Sequence, residues 1–125
     1  MATTRPTRIE LLAFQVGFGD CFLLRFHYPR RVRRHVLVDF GSFPRPAWGG
    51  DGFLREVAEA IRRECDGKLD AVVATHRHAD HVSGFATDGD APGSVIAACA
   101  PDVVVQPWTE DPDAQPDATG PTAAF

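Results

Sequence analysis

Apolar positions open the chain in three short runs. "RIELLAFQV" (residues 8–16), "CFLLRFHY" (21–28) and "HVLVDFG" (35–41) are separated by the turn "GFGD" and by "PRRVRR". Runs of this length bounded by Gly and Pro predict strands, the first of them buried, and turns this tight predict an antiparallel start to a sheet. "GSFPRPAWGG" is loop by composition. The period then changes: in "DGFLREVAEAIRREC", Leu54, Val57, Ala58, Ile61 and Cys65 recur at helical spacing opposite a charged face. Asp51 is the expected N-cap of that helix and Gly67 its stop.

"LDAVVAT" (69–75) predicts a strand apolar on both faces, as in a sheet covered on two sides. "GSVIAACA" suits a short helix, and Val103–Gln106 a further strand. From Thr109 the chain is acidic, proline-rich and without periodicity, so residues 109–125 read as linker or loop and residues 1–108 as the folded unit.

Composition adds little until it is mapped. The chain has 125 residues, 44 % hydrophobic and 24 % charged, with a formal net charge of -4. This fits one ordinary globular domain and names no partner. Arg25, Arg30, Arg31, Arg33 and Arg34 crowd one stretch, while no Lys or Arg follows Pro101. Cys21, Cys65 and Cys99 form no CxxC pair, which argues for buried thiols in a reducing cytoplasm. No apolar stretch approaches the ~20 residues of a membrane helix.

The chemistry concentrates in "THRHADH" (75–81), where three of the five histidines fall within six positions. On extended backbone His76 and His78 point to one side and reach a common ion, while Asp80 and His81, past a turn, face a second. Neutral imidazole and carboxylate suit Zn2+, and Mn or Fe would accept the same donors. His27 and His35 lie upstream on expected strands and read as structural or surface residues.

An HxHxDH loop after a strand, here His76, His78, Asp80 and His81 with Gly84 following, resembles the metallo-β-lactamase superfamily. "VGFGDCFLL" and "HVLVDFG" extend the resemblance, through Gly17, Gly19, Asp20 and Asp39, to the hydrolase-like domain of competence-type DNA-uptake proteins. It covers Ile9 to about Gln106. The resemblance implies an α/β (α+β) fold, the first half of an αββα sandwich, with a metal site at the sheet edge. It also implies that His76 and His78 bind one metal and Asp80 and His81 the other, and that a hydroxide between them attacks the substrate. Asp80 would then be catalytic as well as ligating, and Asp39 would support the ligand loop by hydrogen bonds or simply close a strand end. Asp20 is a turn residue or a wall of the site.

The superfamily completes its site with downstream ligands, yet no histidine follows His81. The expectation is therefore the N-terminal part of a longer metal-dependent hydrolase, inactive as these 125 residues alone. Its substrate would be a phosphodiester or a small molecule with an ester-like bond. A thioesterase, lactonase or lactamase is the enzymatic alternative. A non-catalytic metal-binding or interaction module completed by a partner chain, in an oligomer, is the other. Arg30, Arg31, Arg33 and Arg34 could meet phosphate, though no aromatic residues interleave them and nucleic-acid binding has only this support.

Overall fold

The computed structural model describes residues 4–111 and 113–120. Five strands form one mixed sheet in chain order: β1 (Arg8–Ala13), β2 (Cys21–His27), β3 (Arg33–Phe40), β4 (Ala71–Val73) and β5 (Val103–Val105). β1, β2 and β3 are antiparallel, as the tight turns require, and β3, β4 and β5 run parallel. The parallel pairs need crossovers. Helix α1 (Phe53–Glu64) lies between β3 and β4, and α2 (Ala79–Val82) and α3 (Pro92–Ala98) lie between β4 and β5. The architecture is α+β.

Period-2 alternation divides the sheet. Cys21, Leu23, Leu37 and Val72 join Ala58 and Ile61 of α1 and Val95 and Ile96 of α3 in the hydrophobic core. Cys65 and Cys99 are buried there too, and all three cysteines are free. The alternate set behaves differently. Leu11, Phe22, Leu24 and Val38 line a shallow apolar depression of about 250 Å³ on the other face.

This corrects two expectations. β1 ends at Ala13 and is not buried: Ile9 is 55 % and Leu11 63 % exposed, because β1 is an edge strand with one face covered. β4 is likewise covered on one side, Val72 being buried while Ala71 and Val73 are half-exposed. The helix cap also differs. Gly52 occupies the N-cap of α1, and the Asp51 carboxylate accepts from Arg45 Nη1 at 2.8 Å instead. The stop forms as expected: Gly67 (φ +75°) donates its N–H to the Arg62 carbonyl at 2.8 Å.

His27 and His35 belong to a polar network at the hairpin end of the sheet. Arg25 bridges Glu10 at 3.0 Å and Glu64 at 2.7 Å, and Glu10 also meets His27 Nε2 at 2.7 Å. The hydrogen bond with His27, then that from Arg25, lowers the Glu10 carboxyl to about 2. Burial, then the nearby Arg25 charge, lowers His35 below its ordinary value.

At the other terminus, a 3-10 turn at Trp108–Glu110 spans the expected boundary near residue 108. Isolated turns follow, Ala114 donating to Asp111 and Ala118 to Gln115. Residues 112 and 121–125 of the expected linker lie outside the described residues. Among the described residues no helix is long and apolar enough to cross a membrane.

Candidate metal centre

The ligand loop leaves the C-terminal end of β4, beside the end of β3 and the start of β2. Two glycines let it sit there. A Cβ on Gly41 would lie 2.7 Å from the Asp80 carbonyl oxygen, and one on Gly19 would lie 2.5 Å from the same atom. The main chains therefore touch directly. Asp20 donates its N–H to the Asp80 carbonyl at 3.1 Å, and Gly41 donates to the Asp20 carbonyl at 3.2 Å. Downstream, the Ser83 hydroxyl accepts from Ser42 N at 2.9 Å and donates to Ser42 O at 3.2 Å. Gly84 packs flat against the Phe40 ring, where a Cβ would stand 2.6 Å away. The "GFGD" turn, the "VDFG" strand end and the histidine loop thus form one contact.

Asp39 is aimed by a β-bulge. Cys21 pairs with Phe40 and Phe22 with Val38, leaving Asp39 as the extra residue, in left-handed backbone (φ +55°). Aspartate tolerates that region better than most side chains. Its carboxylate, 3 % exposed, accepts from Thr75 N at 2.7 Å, from Thr75 Oγ1 at 2.6 Å and lies 2.9 Å from His81 Nδ1.

These contacts fix proton positions. A carboxylate only accepts, so the Thr75 hydroxyl has given its hydrogen to Asp39 and accepts from His76 Nδ1 at 3.0 Å. His81 likewise gives its Nδ1 hydrogen to Asp39. His76 is left with Nε2 as its lone-pair atom, the state in which a histidine can ligate, whereas His81 Nε2 faces the Asp80 carboxylate at 3.2 Å and would present a lone pair only once an ion takes the place of the hydrogen between them. Asp39 sets one tautomer directly and the other through Thr75.

Asp20 Oδ2 lies 3.3 Å from His81 Nδ1 and Asp80 Oδ2 lies 3.2 Å from His81 Nε2, so Asp20 does line the site. The His76 ring stands 3.7 Å from the His81 ring and 4.9 Å from that of His78, centroid to centroid. Two trios have donor atoms within 4.8 Å of one another: His76, His78 and Asp80, and Asp39, His76 and His81. A tetrahedral ion with bonds of about 2.1 Å spaces its ligands by roughly 3.4 Å, so either trio closes on an ion by modest side-chain rotation. The donor set therefore fits a divalent metal.

The geometry puts Asp80 beside His76 and His78 as well as 3.2 Å from His81, and His81 beside Asp39. Thr75 was not singled out by the sequence reading, although its place immediately before the first histidine was visible. Cys21 adjoins Asp39 across the bulge, but burial, then the Asp39 charge, pushes its thiol up to about 12. Burial thus holds it as the neutral thiol. Comparison of the chain with family models, with curated proteins and with solved structures finds no match.

Proposed function

We propose that the cluster is the metal centre of a hydrolase of the metallo-β-lactamase type, acting on a phosphodiester or ester-like bond. The observation that carries this reading is convergence: three loops separate in sequence meet at His76, His78, Asp80 and His81, with Asp39 holding the proton positions that ligation needs. The sheet supports the rest of it. Helices on one face and an apolar second face suit the first half of an αββα sandwich, whose second sheet would cover Leu11, Phe22, Leu24 and Val38.

His76 and His78 would hold one ion with Asp80, and His81 would present Nε2 to the same cluster. A divalent ion there, zinc first by its preference for nitrogen and carboxylate, lowers the pKa of a water towards neutrality and stabilises an anionic transition state. Asp80 would orient such a water and could take its proton. The thioesterase, lactonase and lactamase alternatives use the same residues, since pocket walls choose the substrate. One feature favours a non-catalytic metal-holding module: both trios depend on His76, so the described residues offer few donors for two ions at once.

Zinc titrated calorimetrically into the metal-free chain tests the site, with bis(4-nitrophenyl) phosphate as the turnover probe. The expected result is saturable zinc binding lost in His76→Ala and His78→Ala. Phosphodiester cleavage supports the hydrolase over the module. No zinc binding below about 100 μM would overturn both.

A further inference from the structure

Two of the three buried thiols share one place in the fold, and the metal centre uses neither. Cys65 ends α1 and Cys99 ends α3. The two helix ends are tied together. Leu69 donates its N–H to the Cys99 carbonyl at 3.0 Å, and Lys68 donates its own to the Cys65 carbonyl at 3.1 Å. Lys68 Nζ also reaches the Ala100 carbonyl at 2.5 Å and the Asp102 carboxylate at 2.7 Å. The two side chains meet inside this joint, close enough for one thiol to hydrogen-bond the other. Cys21 lies apart, against Asp39.

The contact makes the two sulfurs unequal. Burial raises both above the ordinary thiol value, Cys99 to about 12. The hydrogen bond with Cys99, then the main-chain N–H groups of Gly67 and Lys68, offset part of that for Cys65 and favour its thiolate. Negative charge on Cys65 in turn holds the hydrogen on Cys99. This is the arrangement of an attacking sulfur beside a resolving one. Access comes at the same point. Each cysteine is buried, but the residues on both sides of each are exposed. Each is also followed by a left-handed residue other than glycine, Asp66 (φ +54°) and Ala100 (φ +47°). Helix ends closed by strained turns open locally more readily than helix interiors.

We propose that Cys65 and Cys99 form a reversible disulfide on exposure to hydrogen peroxide, joining α1 to α3 around the segment that carries the histidine loop. The Cys65 thiolate attacks one peroxide oxygen and the O–O bond breaks, leaving Cys65 as the sulfenic acid and releasing hydroxide. The Cys99 sulfur then displaces the sulfenic hydroxyl, which takes the Cys99 proton and departs as water while the S–S bond forms. The released hydroxide takes up the proton that Cys65 had lost. Two thiols are thereby oxidised and one peroxide is reduced to two waters. The site does not rest on the metal reading. Residues 65–99 nevertheless enclose β4 and all of residues 75–81, so the bond ties both ends of that segment.

The test treats the folded full chain, in EDTA, with hydrogen peroxide, blocks remaining thiols with iodoacetamide and maps unreduced peptides by mass spectrometry. The expected product is lighter than the parent by two hydrogens before alkylation. It carries one link, Cys65 to Cys99, with Cys21 alkylated, and dithiothreitol reverses it. Closing a loop of about 35 residues restricts the unfolded chain, so Tm should rise by roughly 14 °C. Cys21→Ala should retain both results. Cys99→Ala should stop at the Cys65 sulfenic acid, captured by dimedone, with no rise in Tm. The parent's peptide map decides the matter even if that variant does not fold. Peroxide that leaves Cys65 and Cys99 free for alkylation overturns the proposal. So does oxidation of Cys65 to the sulfinic or sulfonic acid without a link, a link that involves Cys21, or a Cys65–Cys99 link that leaves Tm unchanged or lower.

Discussion

Replacing Asp39 by asparagine exchanges one carboxylate oxygen for an amide nitrogen and should shift the use of His81. The amide oxygen can still accept from Thr75 N, held at 2.7 Å by the carboxylate. The amide nitrogen then faces Thr75 Oγ1 and His81 Nδ1, at the positions now 2.6 and 2.9 Å from Oδ2. It donates where the carboxylate accepted. The amide N–H facing Nδ1 drives the His81 hydrogen towards Nε2, the atom 3.2 Å from Asp80 Oδ2, against the pull of Asp20 Oδ2 at 3.3 Å from Nδ1, and the lone pair that would ligate is lost to that extent. Losing a supporting partner of this kind typically costs 10–100-fold in metal affinity, about 1.4–2.7 kcal/mol. The fold itself loses two charge-assisted hydrogen bonds and keeps one, about 2 kcal/mol. At ~2.1 cal/mol/K per residue over 125 residues, that lowers Tm by about 8 °C. Asp39→Ala separates tautomer from packing. It opens a cavity and strains left-handed backbone, so it should melt lower than Asp39→Asn, yet with Nδ1 released it should bind zinc at least as tightly. Melting curves without metal and zinc calorimetry decide the matter. Zinc affinities that follow stability, with asparagine above alanine, would refute the tautomer argument.

Gly19→Ala drives a Cβ into the main chain of Gly41 and Asp80, which cannot swing aside as a side chain could. Overpacking and the loss of the Asp20–Asp80 hydrogen bond together amount to about 3 kcal/mol, a Tm lower by roughly 11 °C, with weakened zinc binding; an unchanged Tm would remove the close approach from the account. Acid should destabilise the chain in two stages. His35 is held below its ordinary 6.5, so its contribution is complete above that pH and is lost as pH falls through its lowered value. Glu10, lowered from 4.5 to about 2, contributes fully above 4.5 and loses that contribution between 4.5 and about 2. Tm measured against pH should show both, and Glu10→Gln should flatten the lower stage; an identical profile in that variant would rule Glu10 out.

Periodicity was enough for the antiparallel start and for α1, where Leu54, Val57, Ala58 and Ile61 leave little choice. It misplaced the burial of β1, because "RIELLA" is apolar enough for a core strand and nothing local says that Ile9 and Leu11 face away from the helices. The candidate site was legible as a cluster of residue types that can bind metal, since imidazole and carboxylate cannot hide their chemistry. Their mutual contacts were not. Which ligand stands beside which follows from the turn of α2 and the bulge at Asp39, and the bulge is a property of how β3 pairs with Cys21 and Phe22. Thr75 escaped notice for a related reason: its hydroxyl matters only once Asp39 has been brought against it.

The bulge has a consequence for inheritance. In an unbroken strand, neighbours alternate, and a residue facing the helices is followed by one facing away. Here Asp39 and Phe40 are both turned inward, the first to the histidines and the second, fully buried, to Phe85 at a ring distance of 5.8 Å. One extra residue lets a chemical position and a packing position stand side by side. Deleting a single residue from β3 beyond His35 would restore ordinary alternation and send one of the two outward. Drift in the length of this strand is thus closed to the protein.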